Sequence, residues 1–224
     1  MSRVVLVTGA SRGIGAATAD LAARRGHRLV LVARDAGPLR ERADPGRVWT
    51  ESCDVTDFAA LASLVARVER EWGRLDVVFA NAGTSVSTSF LTDGGAPPER
   101  WADMVLTNVC GPAFTAKAAL PALVRSRGHL VFTGSAAGRG VRPGNLYSAT
   151  KWAVTGLAEN VRAECAGTGV RVTLLQPGLV DTGGIPPERA ADPKLAPSDV
   201  AEAFLHAISQ PPHVDVNEIL LRPV

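Results

Sequence analysis

The segment that begins at Tyr147 places a phenol and an ammonium group at a spacing that could support proton transfer. Lys151 follows Tyr147 by four residues in an Ala-rich stretch without proline, so a helix would bring both side chains to one face. A phenol has an ordinary pKa of about 10, and a nearby cation stabilises the phenolate. The pair could therefore exchange a proton with a reacting oxygen, although most pairs of this spacing are ordinary surface neighbours.

Ser135 lies twelve residues before Tyr147, at the end of a predicted strand. Ligands bind at the carboxyl ends of strands in open α/β sheets, so the Ser135 hydroxyl could share a substrate oxygen with the phenol. A serine in this position can also be a simple turn former. Its pairing with Tyr147 and Lys151 across a short loop favours the functional interpretation.

A glycine-rich turn, Thr8-Gly-Ala-Ser-Arg-Gly13-Ile-Gly15, joins the first predicted strand to the first predicted helix. Glycines in such a turn let a pyrophosphate approach the backbone and rest on the helix N-terminus. Glycines also serve turns in proteins without nucleotides, but the position between strand and helix favours a dinucleotide site.

The residues after the second predicted strand indicate which dinucleotide would bind. A free ribose 2′-hydroxyl is usually bound by a carboxylate at this strand end, and a 2′-phosphate by a guanidinium group. Here Ala33 ends the strand, Arg34 follows, and Arg12 lies in the glycine-rich turn, which favours NADP(H) over NAD. Asp35 opposes this assignment, and we interpret it as a solvated residue that caps the next turn.

Two further loops are candidates for the cofactor site. Asp54 follows the third predicted strand and either caps the next helix or accepts a hydrogen bond from the adenine amino group, two roles that are compatible. Asn81-Ala-Gly83 follows the fourth predicted strand, where small residues would leave room for a flat ring and its ribose. The loop 84–100 should form one wall of a pocket.

Short apolar runs alternate with helical patterns between residues 3 and 172, as in βαβ units around a buried parallel sheet. We predict an α/β fold, with one Rossmann-type doubly wound domain over residues 1–224 and a central parallel seven-stranded sheet flanked by helices. The predicted strands cover residues 3–8, 28–33, 47–53, 75–80, 128–134, 170–175 and 216–221. The predicted helices cover residues 13–25, 57–72, 98–126 with a break at Gly111-Pro112, 146–166 and 198–209.

The composition limits the class of partner. The 24 Lys and Arg residues balance 22 Asp and Glu residues, so we expect no nucleic-acid or acidic-membrane partner. No apolar run approaches the roughly 20 residues of a membrane span, and the N-terminus does not resemble a signal peptide. Three separated cysteines and four scattered histidines indicate reduced thiols, a cytoplasmic protein and no metal site.

Together these motifs resemble the short-chain dehydrogenase/reductase family, in its single-domain NADP-dependent branch. The similarity extends from Thr8 to about Thr182. It rests, in chain order, on Thr8-Gly-x3-Gly-Ile-Gly15, Asp54-Val55, Asn81-Ala-Gly83, Asn108, Ser135, Tyr147-x3-Lys151 and Pro177-Gly178. Each motif is weak by itself, but their order and separations are specific.

The resemblance implies a catalytic tetrad of Asn108, Ser135, Tyr147 and Lys151. Tyr147 would be the general acid or base, and Ser135 would hold the substrate oxygen. Lys151 would bind the nicotinamide ribose and lower the pKa of Tyr147, and Asn108 would anchor a water relay. Without the resemblance, Asn108 is better interpreted as a polar residue that satisfies the backbone at a helix kink.

The resemblance also implies a cofactor site and a subunit interface. The cofactor-binding residues would be Gly9, Ser11, Arg12, Gly13, Ile14, Gly15, Arg34, Asp54, Val55, Asn81, Ala82, Gly83, Tyr147, Lys151, Pro177, Gly178, Val180 and Thr182. Val180 and Thr182 would contact the carboxamide, and a short lid at about 183–197 would leave an open pocket for modest ketones or alcohols. Matching helices in the family form an interface, so 113–123 and 153–166 predict a homodimer or homotetramer.

The sequence therefore predicts an NADP(H)-dependent oxidoreductase, either a carbonyl reductase (ketoreductase) or a secondary alcohol dehydrogenase, acting on a small molecule. A 3-hydroxy acid dehydrogenase of the serine type is the alternative within the family. It would use Arg139 or Arg142 to bind a carboxylate, unless both are solvated loop residues. An epimerase or dehydratase of the same fold is also compatible with these motifs, as is a non-catalytic NADP(H)-sensing regulator, which would not need the tetrad.

Overall fold

The computed structural model describes residues 2–183, 185 and 189–224 of the chain. Its centre is one sheet of seven parallel strands in the order β3-β2-β1-β4-β5-β6-β7. This confirms the predicted doubly wound α/β fold. The strands are β1 (Val4–Thr8), β2 (Arg28–Ala33), β3 (Val48–Ser52), β4 (Val77–Ala80), β5 (His129–Thr133), β6 (Arg171–Pro177) and β7 (Glu218–Leu221).

Helices cover both faces of the sheet. They are α1 (Gly13–Arg24), α2 (Phe58–Trp72), α3 (Pro98–Val105), α4 (Gly111–Ser126), α5 (Leu146–Glu164) and α6 (Pro197–Ser209). Helices α1 and α6 bury one face, and α2, α4 and α5 bury the other. Alternate residues of β1 belong to different cores: Val4 and Leu6 pack under α2, α4 and α5, and Val5 and Val7 pack under α1 and α6. Both faces of the strand are thus apolar, as a buried parallel sheet requires.

A π-helical turn at Leu106–Cys110 joins α3 to α4. The predicted break at Gly111-Pro112 is therefore wrong, because Gly111 keeps helical backbone angles and the irregularity lies in the preceding turn. Pro112 has no N–H to donate to that turn, and the widened π turn absorbs the mismatch without breaking the helix. The π turn places Asn108 at its centre.

Two arginines hold the C-terminal end of α6 at the amino-terminal edge of the sheet. Arg3 and Arg171 both donate to the carbonyl of Ile208, and Arg171 also donates to the carbonyl of Gln210 at 3.1 Å. The last carbonyls of a helix lack intrahelical donors and carry a partial negative charge, so cations stabilise this end.

His129 is buried beside these arginines in its neutral form. The hydroxyl of Thr173 donates to the carbonyl of Val216 at 2.6 Å, so the His129 Nε2, 2.7 Å from the same hydroxyl, must carry the ring proton. The His129 Nδ1 is then a buried acceptor, without a partner among the described residues. Burial, followed by the charges of Arg171 and Arg3, lowers the pKa of His129 to about 3.

We expect His129 to weaken the fold in acid. Unfolding restores a pKa of about 6.5, so between pH 6.5 and 3 the unfolded chain binds a proton at this residue and the folded chain does not. The free energy of unfolding therefore falls as the pH drops from 6.5 towards 3. At pH 4.5 the loss is about 2–3 kcal/mol. His129→Gln keeps a donor for Thr173 but does not titrate, so its free energy of unfolding in urea should fall less between pH 7 and 4.5. Equal falls in the two proteins would contradict this assignment.

Candidate active site

The predicted site residues gather at the carboxyl-terminal edge of the sheet. The strand order reverses between β1 and β4, and this is the point where a crevice opens in doubly wound folds. Thr8, Ala80, Thr133 and Pro177 end β1, β4, β5 and β6 at this edge. The loops that follow these strands carry the glycine-rich turn, Asn81, Ser135 and Gly178.

Helix α5 begins at Leu146 and carries both Tyr147 and Lys151, as predicted. Asn145 caps it by accepting a hydrogen bond from the Ser148 amide at 2.8 Å. The Lys151 Nζ lies 5.6 Å from the centre of the Tyr147 ring, so the two side chains share one helix face. Lys151 is only 4% exposed, and its ammonium donates to the carbonyl of Thr133 at 2.9 Å.

Ser135 faces Tyr147 from the turn after β5. It is 8% exposed, and its Oγ accepts from the Ala137 amide at 3.1 Å, which makes the serine the N-cap of a short 3-10 helix, Ala136–Arg139. A hydrogen bond from this side chain lowers the pKa of Tyr147. The structure therefore brings Ser135, Tyr147 and Lys151 together around one point of the crevice.

The net pKa shift of Tyr147 is opposite to the sequence-based expectation. Burial raises the pKa of Tyr147 above its usual value, and the Ser135 hydrogen bond and the charge of Arg142 oppose this only in part. The Lys151 ammonium donates to the Thr133 carbonyl, and burial lowers the pKa of Lys151 to about 8. Tyr147 is therefore a protonated phenol at neutral pH.

Asn108 forms a clamp between the π turn, the loop after β4, and α5. Its Oδ1 accepts from the Thr84 amide at 2.8 Å, and its Nδ2 donates to the Thr84 carbonyl at 2.8 Å and the Thr150 hydroxyl at 3.1 Å. Thr150 in turn donates to the carbonyl of Tyr147 at 2.7 Å. The side chain of Asn108 thus satisfies backbone groups at an irregular helix turn, which is the interpretation made without the family resemblance.

Close packing explains the glycines of the turn after β1. A Cβ on Gly9 would lie 2.8 Å from the Ala82 Cα, and a Cβ on Gly15 would lie 2.2 Å from the Gly9 carbonyl oxygen. A Cβ on Gly13 would lie 2.9 Å from the Thr182 Cγ2, and Gly13 also has a positive φ of 55°. The glycines therefore let the turn contact the loops after β4 and β6, in addition to any role towards a phosphate.

The N-terminus of α1 fits a pyrophosphate. Arg12 occupies the cap position and makes no side-chain cap hydrogen bond within the described part of the chain, and the first turn contains no acidic residue. The first amides of the helix and its dipole are therefore available to an anion. Ser11 and Ile14, two further predicted contacts, lie in the same turn and are partly exposed.

Arg12 and Arg34 lie on neighbouring segments. The Ala10 amide donates to the Val32 carbonyl at 3.0 Å, so the residues that follow in each segment leave the sheet side by side. Both arginine side chains are exposed. Asp35, in contrast, accepts from the Gly37 amide at 2.8 Å and so caps its own turn, as interpreted from the sequence.

The helix-cap role considered for Asp54 is wrong. Asp57 is the N-cap of α2 and accepts from the Ala60 amide at 2.9 Å. Asp54 instead accepts from the amide and the hydroxyl of Thr56, at 2.9 and 2.8 Å. Val55 next to it is buried in the core. The Cys53 amide bonds to the Ala33 carbonyl at 3.0 Å, which keeps Asp54 near the end of β2.

Asn81 ties three strand ends together. Its Nδ2 donates to the Thr8 carbonyl at 3.0 Å, and its Oδ1 accepts from the Thr133 hydroxyl at 3.1 Å. Ala82 lies against Gly9, and the Cβ position of Gly83 is 3.7 Å from the Lys151 Nζ. The Asn81–Gly83 segment therefore lies between the glycine-rich turn and the lysine.

The segment after β6 is anchored on both sides. The Gly178 amide donates to the Leu221 carbonyl at 2.7 Å, and Val180 pairs with Leu195 as an isolated bridge. Thr182 lies over Gly13, so this segment meets the glycine-rich turn across the crevice. The predicted lid at 183–197 is described only in part, since residues 184 and 186–188 lie outside the described residues.

The structure adds residues that the sequence motifs did not indicate. Thr133 binds Lys151 through its backbone carbonyl, and a backbone contact leaves no trace in the residue type. At Gly138 a Cβ would lie 2.6 Å from the Lys151 carbonyl oxygen, so only glycine lets the turn after Ser135 approach α5 this closely. The glycine three residues after the candidate catalytic serine is the sequence signal that could have indicated this close approach.

The two candidate arginines have different surroundings. Arg139 forms an ion pair with Glu218 of β7, and Glu218 also accepts from the Gln176 side chain at 2.7 Å. Arg142 is exposed and lies close enough to Tyr147 for its charge to lower the pKa of that phenol. Only Arg142 therefore combines an exposed guanidinium group with closeness to Tyr147.

Within the described residues, no group of three or more His, Cys, Asp or Glu side chains is arranged to hold a metal ion. No helix in this part of the chain combines the length and the apolar character needed to cross a membrane.

The chain is similar in sequence and in fold to known proteins of one family. A family model described as short chain dehydrogenase matches residues 3–192. An uncharacterized oxidoreductase of Staphylococcus saprophyticus is 38% identical over 231 residues, covering 99% of this chain and 97% of the relative. An alcohol dehydrogenase from the archaeon Thermococcus sibiricus, solved in complex with 5-hydroxy-NADP, is 32% identical with a TM-score of 0.89 and covers 100% of this chain and 97% of its own. A serine dehydrogenase from Escherichia coli is 33% identical with a TM-score of 0.85, covering 97% and 96%. The chain belongs to the short-chain dehydrogenase/reductase family of oxidoreductases.

Proposed function

We propose that this protein is an NADP(H)-dependent oxidoreductase that interconverts a ketone and a secondary alcohol, with Tyr147 as the general acid and base. The observation that carries the proposal is the convergence of Ser135, Tyr147 and Lys151 beside the glycine-rich turn and the uncapped N-terminus of α1. The cofactor, when bound, donates or accepts the hydride. The residues of the chain place the substrate oxygen and move its proton.

In the reduction direction the Tyr147 hydroxyl donates its proton to the substrate oxygen while the carbonyl carbon receives the hydride. Its raised pKa keeps the phenol protonated at neutral pH, the form that this step needs. Ser135 holds the same oxygen through its hydroxyl. Lys151, fixed by the Thr133 carbonyl, binds the ribose of the cofactor and stabilises the phenolate once the proton has left.

Asn108 has a positioning role in this proposal. Its amide is already bonded to Thr84 and Thr150, so its backbone carbonyl is the better group for the proposed water relay. The residue four positions later is Pro112, which has no N–H to offer that carbonyl. A relay through the π turn would then return a proton to the phenolate.

The preference for NADP(H) over NAD(H) rests on Arg12 and Arg34. Both residues are exposed on neighbouring segments at the edge of the sheet where the adenosine ribose would lie, and guanidinium groups match a phosphate better than a hydroxyl. Asp35, which would favour a free 2′-hydroxyl, is bonded to its own turn. The Thermococcus sibiricus relative was solved with an NADP derivative, which supports the same cofactor. The three cysteines are free thiols, as suits the cytoplasmic location that we propose.

The first test is consumption of NADPH, with NADH in parallel, against a panel of ketones, keto esters and 3-keto acids. We expect turnover with NADPH, weaker turnover with NADH, and a loss of about 10²–10⁴-fold in kcat for Tyr147→Phe, which keeps the ring but removes the proton. Tight NADPH binding by the wild type without turnover on any substrate would contradict the proposal and favour the NADP(H)-sensing regulator. Hydride transfer without net oxidation of NADPH would instead favour an epimerase or dehydratase.

A second candidate function, oxidation of a 3-hydroxy acid, is favoured by Arg142. Its exposed guanidinium group lies near Tyr147, whereas Arg139 is paired with Glu218. A bidentate contact would orient a substrate carboxylate while Tyr147 binds the hydroxyl. The Escherichia coli relative is a serine dehydrogenase, which agrees with this substrate class.

We expect Arg142→Ala to lower kcat/KM for a 3-hydroxy acid by about 10–100-fold more than for a neutral alcohol, because a charge-assisted hydrogen bond contributes about 1.5–3 kcal/mol. Arg142→Lys keeps the positive charge but lacks the paired N–H donors for a bidentate contact, and it should recover part of the loss. Steady-state rates with both substrates measure this difference. Equal losses on the two substrates would remove the carboxylate role.

We also propose that the chain assembles with copies of itself through α4 and α5. A groove between these helices is lined mainly by small and apolar residues, including the exposed Val124. Gly156 leaves open space on the exposed face of α5, where another backbone could approach closely. Burying such a face would stabilise a dimer or tetramer by the hydrophobic effect.

Sedimentation velocity should show a dimer or tetramer for the wild type. Val124→Asp places a charge in the groove and should shift the protein to smaller species. Val141→Asp, a matched change at a residue that is 92% exposed and outside the groove, should sediment as the wild type does. A monomeric wild type at working concentration would contradict the proposal.

A further inference from the structure

One hydroxyl group links the loop after β4 to the start of the catalytic helix. The β4–α3 loop (residues 81–97) contains Thr88, whose Oγ1 donates to the Gly144 carbonyl at 2.5 Å and accepts from the Leu146 amide at 3.0 Å. The contact spans 58 residues of sequence, and Leu146 directly precedes Tyr147.

The Leu146 amide needs a partner from outside α5. It is one of the first amides of the helix, which have no intrahelical acceptor. Asn145 caps the Ser148 amide, and Thr88 supplies a second cap, to the Leu146 amide, from a distant loop. The same hydroxyl also fixes the residue before the cap, because Gly144 has a positive φ of 70° and its Cβ position is 3.6 Å from the Thr88 carbonyl.

The loop is held at a second point on the same helix. Asn108 binds both backbone polar groups of Thr84 and the hydroxyl of Thr150, one turn after Tyr147. Segment 84–88 is therefore tied to α5 before and after Tyr147, by Thr88 at Leu146 and by Asn108 at Thr150. The placement of this wall of the crevice is thus linked by hydrogen bonds to the first turn of α5, which carries the phenol.

We infer that Thr88 is a positioning residue for Tyr147, coupling the placement of the β4–α3 loop to the placement of the phenol beside Ser135. The inference rests on the proposed function only in its consequence for activity. The capping geometry and its effect on the phenol exist whether or not the protein turns over a ketone. Reacting groups displaced by about 1 Å lose on the order of 10²-fold in rate, so a single cap at this point has a measurable effect.

Tyr147 is the only tyrosine in the chain, which gives a direct spectroscopic test. Protein labelled with 3-fluorotyrosine has one ¹⁹F resonance from tyrosine, and its pH titration reports the pKa of that phenol. Burial raises the Tyr147 pKa, so loosening the first turn should let water in and move the pKa towards that of free 3-fluorotyrosine.

We expect Thr88→Val, which keeps the shape but removes both hydrogen bonds, to move this pKa by at least about half a unit. It should also lower kcat for the best ketone by about 10–100-fold, with a smaller change in KM for NADPH. Thr88→Ser keeps the hydroxyl and should recover both properties. Thr88→Ala, which adds no methyl group against the amide, should reproduce Thr88→Val and guards against a variant that folds poorly.

Thr92→Val is the matched control, because among the described residues the Thr92 hydroxyl bonds only to Ser89 and Gly94, within the same loop. It should leave both the resonance and kcat unchanged. An unchanged titration in Thr88→Val and Thr88→Ala, or an equal change in Thr92→Val, would overturn the inference. A wild type without turnover would overturn the proposed function instead, and the ¹⁹F titration would still decide the role of Thr88.

Discussion

The ammonium group of Lys151 is held in the interior of the protein by a direct hydrogen bond to the Thr133 carbonyl, at 2.9 Å. Burying a cation is unfavourable unless polar groups surround it, and its pKa falls to about 8 as a result. Much of the site follows from keeping this group in place. Helix α5 must lie close against the end of β5, and Gly138 permits that approach because a side chain there would strike the backbone of the lysine.

Side-chain amides and hydroxyls form the hydrogen bonds that fix the loops of the crevice relative to one another. Asn81 joins the ends of β1, β4 and β5, and Asn108 joins the π turn to the β4–α3 loop and to α5. Loops are usually the mobile parts of a fold, and binding residues on them need support from rigid elements. Here that support comes from hydrogen bonds between buried or half-buried groups. The loops that line the crevice are thus held in one arrangement relative to one another.

The two edges of the sheet use buried charge differently. At the carboxyl-terminal edge, burial lowers the pKa of Lys151 and raises the pKa of Tyr147, and both residues lie next to the crevice. At the amino-terminal edge, Arg3 and Arg171 donate hydrogen bonds to helix carbonyls, and His129 is kept neutral by its lowered pKa. The perturbed pKa values at the first edge belong to the candidate active site, and the perturbed pKa at the second accompanies structural hydrogen bonds.

The sequence by itself determined the parallel α/β architecture, the positions of the seven strands, and the shared helix face of Tyr147 and Lys151. These features depend on local periodicity and on motifs a few residues long, so they can be read without contacts. Tertiary structure decided the rest. It made Asp57 rather than Asp54 the helix cap, paired Arg139 with Glu218 while leaving Arg142 exposed, and raised the Tyr147 pKa. Burial, charge pairing and capping by Thr88 depend on residues far apart in the chain, and local patterns contain no information about which of them meet.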